Sequence, residues 1–403
     1  MQTLIKLKNS LSLRLLAILL GSLLFGQWMP LWLKSLCYAT SLSLKTLLLF
    51  VLPAIIFSCL FSCFLSLQGG KALKFMLGLF ILVCASNFIS TLIAYGIGAL
   101  KLVDLNVLEQ SNAATAALEP LWQFELPTLL SNTQALSLGV ILGAFFSFVP
   151  NPRAHLFAQK ARCFVTLFLE RSFIPVLPLF VLGFVLKMQH DGMLAQIIGS
   201  YVQLLLLITL TFILYLGFLF LIAAKFNLTR FKDYLKNVFP VALMGFSTMS
   251  SLATMPVTLK AAEKNTGDFH IPQAVIPSTV NIHQVGVAIA IPMMAMCILS
   301  TFGYAMPSFA VYCKFAFYFI FAQFAVAGVP GGAILVMLPL LESHFGFSAE
   351  MCGLITALYI LFDPAVTLTN VLGNSALVII VSRLFSPFSK EQPSEVVLEE
   401  GVS

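Results

Sequence analysis

The chain has 403 residues, 60% of them hydrophobic and only 9% charged, with a mean hydropathy of +0.99. A soluble domain of this length needs far more charge for its surface, so the composition excludes one and reads as an integral membrane protein. The excess of 22 Lys+Arg over 16 Asp+Glu lies mostly in short loops, where it is a topology signal and not a nucleic-acid footprint.

The N-terminal stretch sets Lys6, Lys8 and Arg14 ahead of the apolar run "LLAILLGSLLFG". That run continues through Trp28, Trp32 and Leu33 without a clean small-x-small cleavage site, so it predicts a retained first helix instead of a signal peptide. A spanning helix needs ~20 apolar residues. Spans are predicted near 13–33, 43–67, 75–100, 129–150, 163–187 and 197–224, with the longest polar connection of this half at Asp104 to Gln123. Beyond 237 the apolar segments shorten and are broken by Ser, Thr, Gly and Pro, at 237–259, 273–301, 308–341 and 350–383. The tail after Ser386, "PFSKEQPSEVVLEEGVS", carries acids, Pro and Ser and is expected to be a disordered terminus. The eight cysteines are scattered through apolar segments. Cys59 and Cys63 share a helical face, but without a His or second Cys pair they read as small buried residues and not as a metal or disulfide site. The 38 phenylalanines read as lipid-facing and core filling. Glu170, Arg171 and Lys314 read as boundary charges.

Orientation follows from the basic residues. With a cytoplasmic N-terminus and six alternating helices, the inside collects Lys6, Lys8, Arg14, Lys71, Lys74, Arg153, Lys160, Arg162, Lys225, Arg230, Lys232 and Lys236. The outside receives Lys34, Lys45, Lys101 and Lys187. This asymmetry supports an inside N-terminus. Lys260 and Lys264 also fall inside if 237–259 enters the membrane and returns, and Arg383 and Lys390 then place the C-terminus inside.

Within that segment, "MSSLATMPVTLKAAEKNTG" places Ser250, Ser251, Thr254 and Pro256 between apolar runs. Freed backbone and three hydroxyls are costly in hydrocarbon unless protein or water meets them. The stretch therefore reads as a re-entrant hairpin from the cytoplasmic face with its tip near Ser250 and Ser251. A second interruption, "AQFAVAGVPGGAILVMLPLLES", carries Gly328, Pro330, Gly331 and Gly332, which an unbroken helix holds only at a cost. Two such interrupted segments are the sequence pointer to the binding site of a secondary transporter. Half-helix N-termini at the breaks offer free N–H groups and partial positive charge, suited to a carboxylate. Spacing alone fits a pair of kinked spanning helices as well.

These stretches resemble the dicarboxylate/amino acid:cation symporter family. "SSLATMPVTL" (Ser250 to Leu259) is similar to the serine-rich tip and Thr-Leu-Pro-Val-Thr run of the family's first hairpin, and "VAGVPGGA" (Val326 to Ala333) to the Ala-Gly-Val-Pro-Gly run of its second. "FDPAVTLTNVLGNSA" (Phe362 to Ala376) is similar to the last-helix pattern of Asp, Arg-Thr and Asn-Val-x-Gly-Asp, and "SNTQALSLGVILGAFFSF" more loosely to the fourth segment. The resemblance covers most of 40–385. It implies an all-α integral membrane protein with eight transmembrane helices and two re-entrant helical hairpins, usually a homotrimer. Six N-terminal helices (1–236), mostly scaffold, would precede a transport core (237–385) with both hairpins and two helices, then a cytoplasmic tail (386–403). It further implies a cell-membrane protein (the inner membrane in a bacterium) with both termini cytoplasmic, and a secondary active symporter of small amino acids coupled to sodium or protons. No other cofactor, no nucleic acid and no certain metal is expected.

By this resemblance the substrate chamber is lined by Ser250, Ser251 and Thr254 of the first hairpin and by Val329 and Gly331 of the second. The last helix adds Asp363, Val366, Thr367 and Asn370. Asp363 would take the substrate amino group; an ionised carboxylate at that depth costs at least about 2.5 kcal/mol unless paired. Thr367 and Asn370, four and seven residues on, share its helical face. The departures are as informative. The family's seventh-helix Asn-Met-Asp-Gly-Thr falls on "HQVGV" (His283 to Val287), so one sodium-ligating aspartate is Val285, and the other, at the end of the last-helix motif, is Asn374. The coupling-ion candidates are therefore His283, Asn281, Asn370 and Asn374. His283 is a titratable intramembrane group, a functional candidate by default; a neutral histidine satisfied by Asn281 or a backbone carbonyl fits equally. The family's arginine three residues after the aspartate, which grips an acidic substrate side chain, is Val366 here. This favours a neutral amino acid, with dicarboxylates (glutamate or aspartate) as the alternative and an uncoupled, diverged conductor as a third reading. No Ser–His–Asp set, metal-spaced His/Cys cluster or phosphate loop points to an enzyme.

Overall fold

The computed structural model describes residues 21–22, 24–65, 70–101, 118–124, 126–127, 130–149, 151–168, 171–172, 174–191, 194–326 and 331–389. All regular structure among them is helical: α1 (Leu31–Leu65), α2 (Gly70–Lys101), α3 (Asn132–Phe148), α4 (Pro152–Phe168), α5 (Ile174–His190), α6 (Leu194–Ala223), α7 (Leu228–Thr248), α8 (Ser251–Thr266), α9 (His270–Thr279), α10 (Val285–Thr301), α11 (Phe309–Gln323), α12 (Gly332–Phe345) and α13 (Ala349–Ser389). Three described stretches are long and apolar enough to cross a membrane by length and composition, Phe75–Leu100, Tyr201–Ala223 and Ala349–Leu384.

The predicted span 13–33 is described at 21–22 and 24–33, where it is not one helix: a 3-10 turn at Gly26–Trp28 and an extended Met29 precede the start of α1 at Leu31. Glu170 and the tail beyond Ser389 lie outside the described residues. Downstream of that span, α1 is continuous through 34–42, where the sequence predicts a connection. The polar run there does not break the helix because its hydroxyls are satisfied one turn back: Thr40 donates to the Leu36 carbonyl, Ser41 to Cys37, Ser43 to Ala39 and Thr46 to Leu42, at 2.8–3.1 Å. The predicted span 163–187 is two helices, α4 and α5. The stretch 237–259 is also two, α7 and α8, separated at Met249 and Ser250.

α1 packs on α3, α4 and α5, while α13 packs on α5, α6, α7, α8, α9, α10 and α12. α10 is buried along almost its whole length. α6 shows how an all-apolar helix is placed: Tyr201, Leu204, Ile208, Phe212 and Tyr215 face the interior, and Val202, Leu206, Leu210, Ile213 and Leu214 are exposed. An exposed apolar stripe of this kind suits hydrocarbon and would be a liability in water.

Two helix pairs fold back on themselves. α7 ends at Met249, whose φ of 51° lies in the left-handed region, and α8 starts at Ser250, whose hydroxyl caps it by accepting from Ala253 N–H. α7 and α8 pack together, and Asn237, near the middle of α7, donates to Asn265 near the end of α8 at 2.7 Å. α11 and α12 also pack together, with α12 starting from Gly331 at φ 72°. A Cβ is strained at that angle, which is why glycine is needed there. Between the pairs, α9 and α10 are separated by the non-helical residues Val280–Gln284.

Candidate functional site

The polar residues of the apolar C-terminal half converge on one face of α13. Tyr359, Asp363, Thr367, Asn370 and Asn374 recur at intervals of three and four, the spacing of one helical face, and all are buried. Sequence reasoning finds the last four. It misses Tyr359, although this residue sits one turn before Asp363 and its hydroxyl, like that of Thr367, faces the Asp363 carboxyl.

Asp363 also meets the second helix pair. Its Oδ2 accepts the Gly331 N–H at 2.9 Å. Gly331 is the N-cap of α12, so a carboxylate sits where free N–H groups and the helix dipole favour an anion. The sequence predicts that this N–H is open to a ligand; in the structure the protein's own acid holds it. Val329 lies outside the described residues. Val366 is fully buried and belongs to the main apolar core.

The first pair's tip is knitted internally. Thr254 Oγ1 donates to the Ser250 carbonyl at 2.9 Å and lies 3.2 Å from Thr248 Oγ1, while the Ser250 hydroxyl caps α8. Ser251 is buried at the same tip, and α8 packs on α13. Ser250 and Thr254 thus brace the tip first. Any contact to a ligand is additional to that.

The break between α9 and α10 is held by a residue that sequence reasoning misses. Asn87, fully buried on α2, donates Nδ2 to the Ile282 carbonyl at 2.8 Å and accepts the Gln284 N–H on Oδ1 at 3.2 Å. One amide thereby satisfies backbone on both sides of His283. A signal is present in the chain: Ser86, Asn87, Ser90 and Thr91 are polar residues inside an apolar span. His283 Nε2 lies 2.9 Å from Ser86 Oγ, which is 3.3 Å from Tyr215 OH. Asn281 Oδ1, Gln284 Oε1, His283 Nδ1 and Asn374 Oδ1 are buried around the break without hydrogen-bond partners among the described residues. Asn281 contributes its carbonyl to Gln284 Nε2 at 2.6 Å. Among the described residues no three His, Cys, Asp or Glu side chains gather as a metal site.

α10 and α13 touch at backbone distance through Gly286. Its N–H donates to Asn370 Oδ1 at 2.8 Å, and a Cβ there would meet the Val366 carbonyl oxygen at 2.5 Å. Gly286→Ala should therefore push α10 off α13 and cost about 1–3 kcal/mol, as overpacking does. Gly96→Ala, where a Cβ meets nothing within 4 Å, should be neutral or slightly stabilising. Unfolding midpoints of the two variants check this; equal midpoints would show that the contact is not tight.

A family model described as "Sodium:dicarboxylate symporter family" matches residues 11–384. Among curated proteins, an "Uncharacterized symporter" of Haemophilus influenzae is 27% identical over 157 residues, covering 38% of this chain and 35% of that protein. "Excitatory amino acid transporter 1" of Rattus norvegicus is 27% identical over 225 residues (55% of this chain, 40% of the relative). The human protein of the same name is 27% identical over 234 residues (57% and 42%). The matched stretches thus span well under half the length of these relatives.

Proposed function

The chain belongs to the sodium:dicarboxylate symporter family, and from that premise we propose that it is a cation-coupled secondary symporter of a small neutral amino acid. One observation carries the reading: a buried acid, Asp363, faces the N-terminus of α12 at Gly331, beside an interrupted helix in an apolar, multi-helix chain. A zwitterion has complementary charges for both. Its ammonium group suits Asp363. Its carboxylate suits the N–H groups at the α12 and α8 starts, so ligand entry exchanges the Asp363–Gly331 bond for two ligand bonds. Thr367 and Asn370 present further polar groups one and two turns along the same face.

In this reading α7–α8 and α11–α12 are re-entrant hairpins and the remaining elements supply eight spans. The segment 237–385 forms most of the moving part, and α1 with its partners α3, α4 and α5 forms the static part, assembled as a homotrimer. Both termini face the cytoplasm. The alternative substrate is a dicarboxylate, which the family description favours.

Purified protein in liposomes tests the proposal. Uptake of labelled alanine, serine or threonine down an imposed cation gradient is expected; no gradient-driven uptake of any amino acid or dicarboxylate would refute it. Since Val285 and Asn374 replace two acids, a proton gradient without sodium should suffice, with His283 as the carrier candidate. Steep, cooperative dependence on sodium would rule that coupling out.

The hairpin topology has its own check. The Asn237–Asn265 bond ties the middle of α7 to the end of α8. Single cysteines at Lys236 and Lys264 should therefore both react with an impermeant reagent from the cytoplasmic side. Reaction from opposite sides would mean that 237–259 crosses the membrane.

A further inference from the structure

The family description names sodium, and in secondary transporters unwound backbone carbonyls at broken helices are where such an ion is held. The structure supplies a place of this kind. The carbonyl of His283, at the break, and the carbonyl of Asn370, on α13, converge on one point. That point is taken: Asn374 Nδ2 donates to the His283 carbonyl at 3.3 Å and to the Asn370 carbonyl at 3.2 Å.

The donor set does not fit a hard cation, which requires oxygen lone pairs directed at it. Both carbonyls already receive an N–H, and the side chain that reaches them presents hydrogens. The orientation of the amide is dictated by its neighbours. Carbonyl oxygens only accept, and in this orientation one NH2 group supplies a donor to both. The other end, Oδ1, is buried without a hydrogen-bond partner among the described residues. Asn374 is 2% exposed, so its amide acts within the protein interior. Val285, the other position that departs from an acid, packs against α13: a Cβ at Gly373 would meet its Cγ2 at 2.6 Å. Hydrocarbon thus closes the neighbouring side.

We propose that the Asn374 carboxamide stands in for a sodium ion at this point. Its two N–H groups neutralise the carbonyl dipoles that a bound cation would otherwise neutralise, permanently and without charge. An uncharged internal donor keeps these two carbonyls satisfied whether or not sodium is present. A single isosteric change then restores the cation requirement: Asn374→Asp replaces the NH2 by an anionic oxygen, and three oxygens face one point.

This inference rests on the family reading for the expectation of sodium, but its test reads ion binding and not transport. Unfolding midpoints of the full chain in detergent are compared in sodium chloride and in choline chloride at equal ionic strength. The wild type should show no sodium effect that depends on residue 374. Asn374→Asp should gain a saturable sodium-specific rise of about 2–4 °C over the wild type, the size expected when a ligand is held well above its Kd. Equal sodium responses in the two chains overturn the proposal. A wild-type sodium response that vanishes in Asn374→Ser also overturns it, and this second arm needs no folded Asp variant. A chain that transported nothing would still give either answer.

Discussion

Replacing Asp363 by asparagine is expected to weaken amino-acid binding at least ~100-fold and to abolish measurable uptake. The acid is 4% exposed, so its charge interacts with little screening and requires a partner. In the structure that partner is the Gly331 N–H, supported by the hydroxyls of Tyr359 and Thr367. In the proposed complex it is the ligand's ammonium group. The amide keeps size and shape and one acceptor oxygen, but offers an ammonium group a dipole in place of a charge. Truncating one member of a buried charge pair costs several kcal/mol, and each 1.4 kcal/mol is tenfold in Kd. Fold loss is separated from function loss by the unfolding midpoint, because the introduced amide oxygen still accepts from Gly331. An Asp363→Asn variant that binds within about threefold of wild type would remove Asp363 from the site.

Tyr359→Phe is the graded companion. It deletes one hydroxyl facing the same carboxyl and should cost about 1–2 kcal/mol in binding, well short of the Asp363 effect.

Neutral amino acids should compete for the site far better than aspartate or glutamate, by ~100-fold or more. Position 366 is three residues after Asp363 on α13 and carries a fully buried valine within the main apolar core. A second ligand carboxylate there would meet hydrocarbon. An Arg–carboxylate pair is strong and often bidentate, and stranding one buried partner costs several kcal/mol. Competition for bound labelled alanine or serine measures the ratio. Val366→Arg tests it in the opposite sense: it should lower affinity for neutral ligands and raise it for aspartate. If aspartate already displaces label better than alanine does in the wild type, the site carries another cation, for which His283 is the candidate.

Much of this site is legible in the chain itself. The composition settles the solvent, since nothing with 9% charge places itself in water. The interruptions are legible because Ser, Gly and Pro act on their own few residues of backbone: Ser250 caps α8, and Gly331 takes a left-handed φ at the start of α12. The face of α13 is legible because 363, 367, 370 and 374 obey the helical period. Other features need the folded molecule. The continuity of α1 through its polar stretch depends on each hydroxyl choosing the carbonyl one turn back. Asn87 grips a backbone break 195 residues away, and Asp363 occupies an N–H 32 residues before it. The direction of the Asn374 amide follows from two carbonyls, one at the break before α10 and one on α13. Period and propensity are properties of neighbours along the chain. Which donor a buried acceptor receives is decided by the groups that packing brings within hydrogen-bonding reach, and those groups come from anywhere in the sequence.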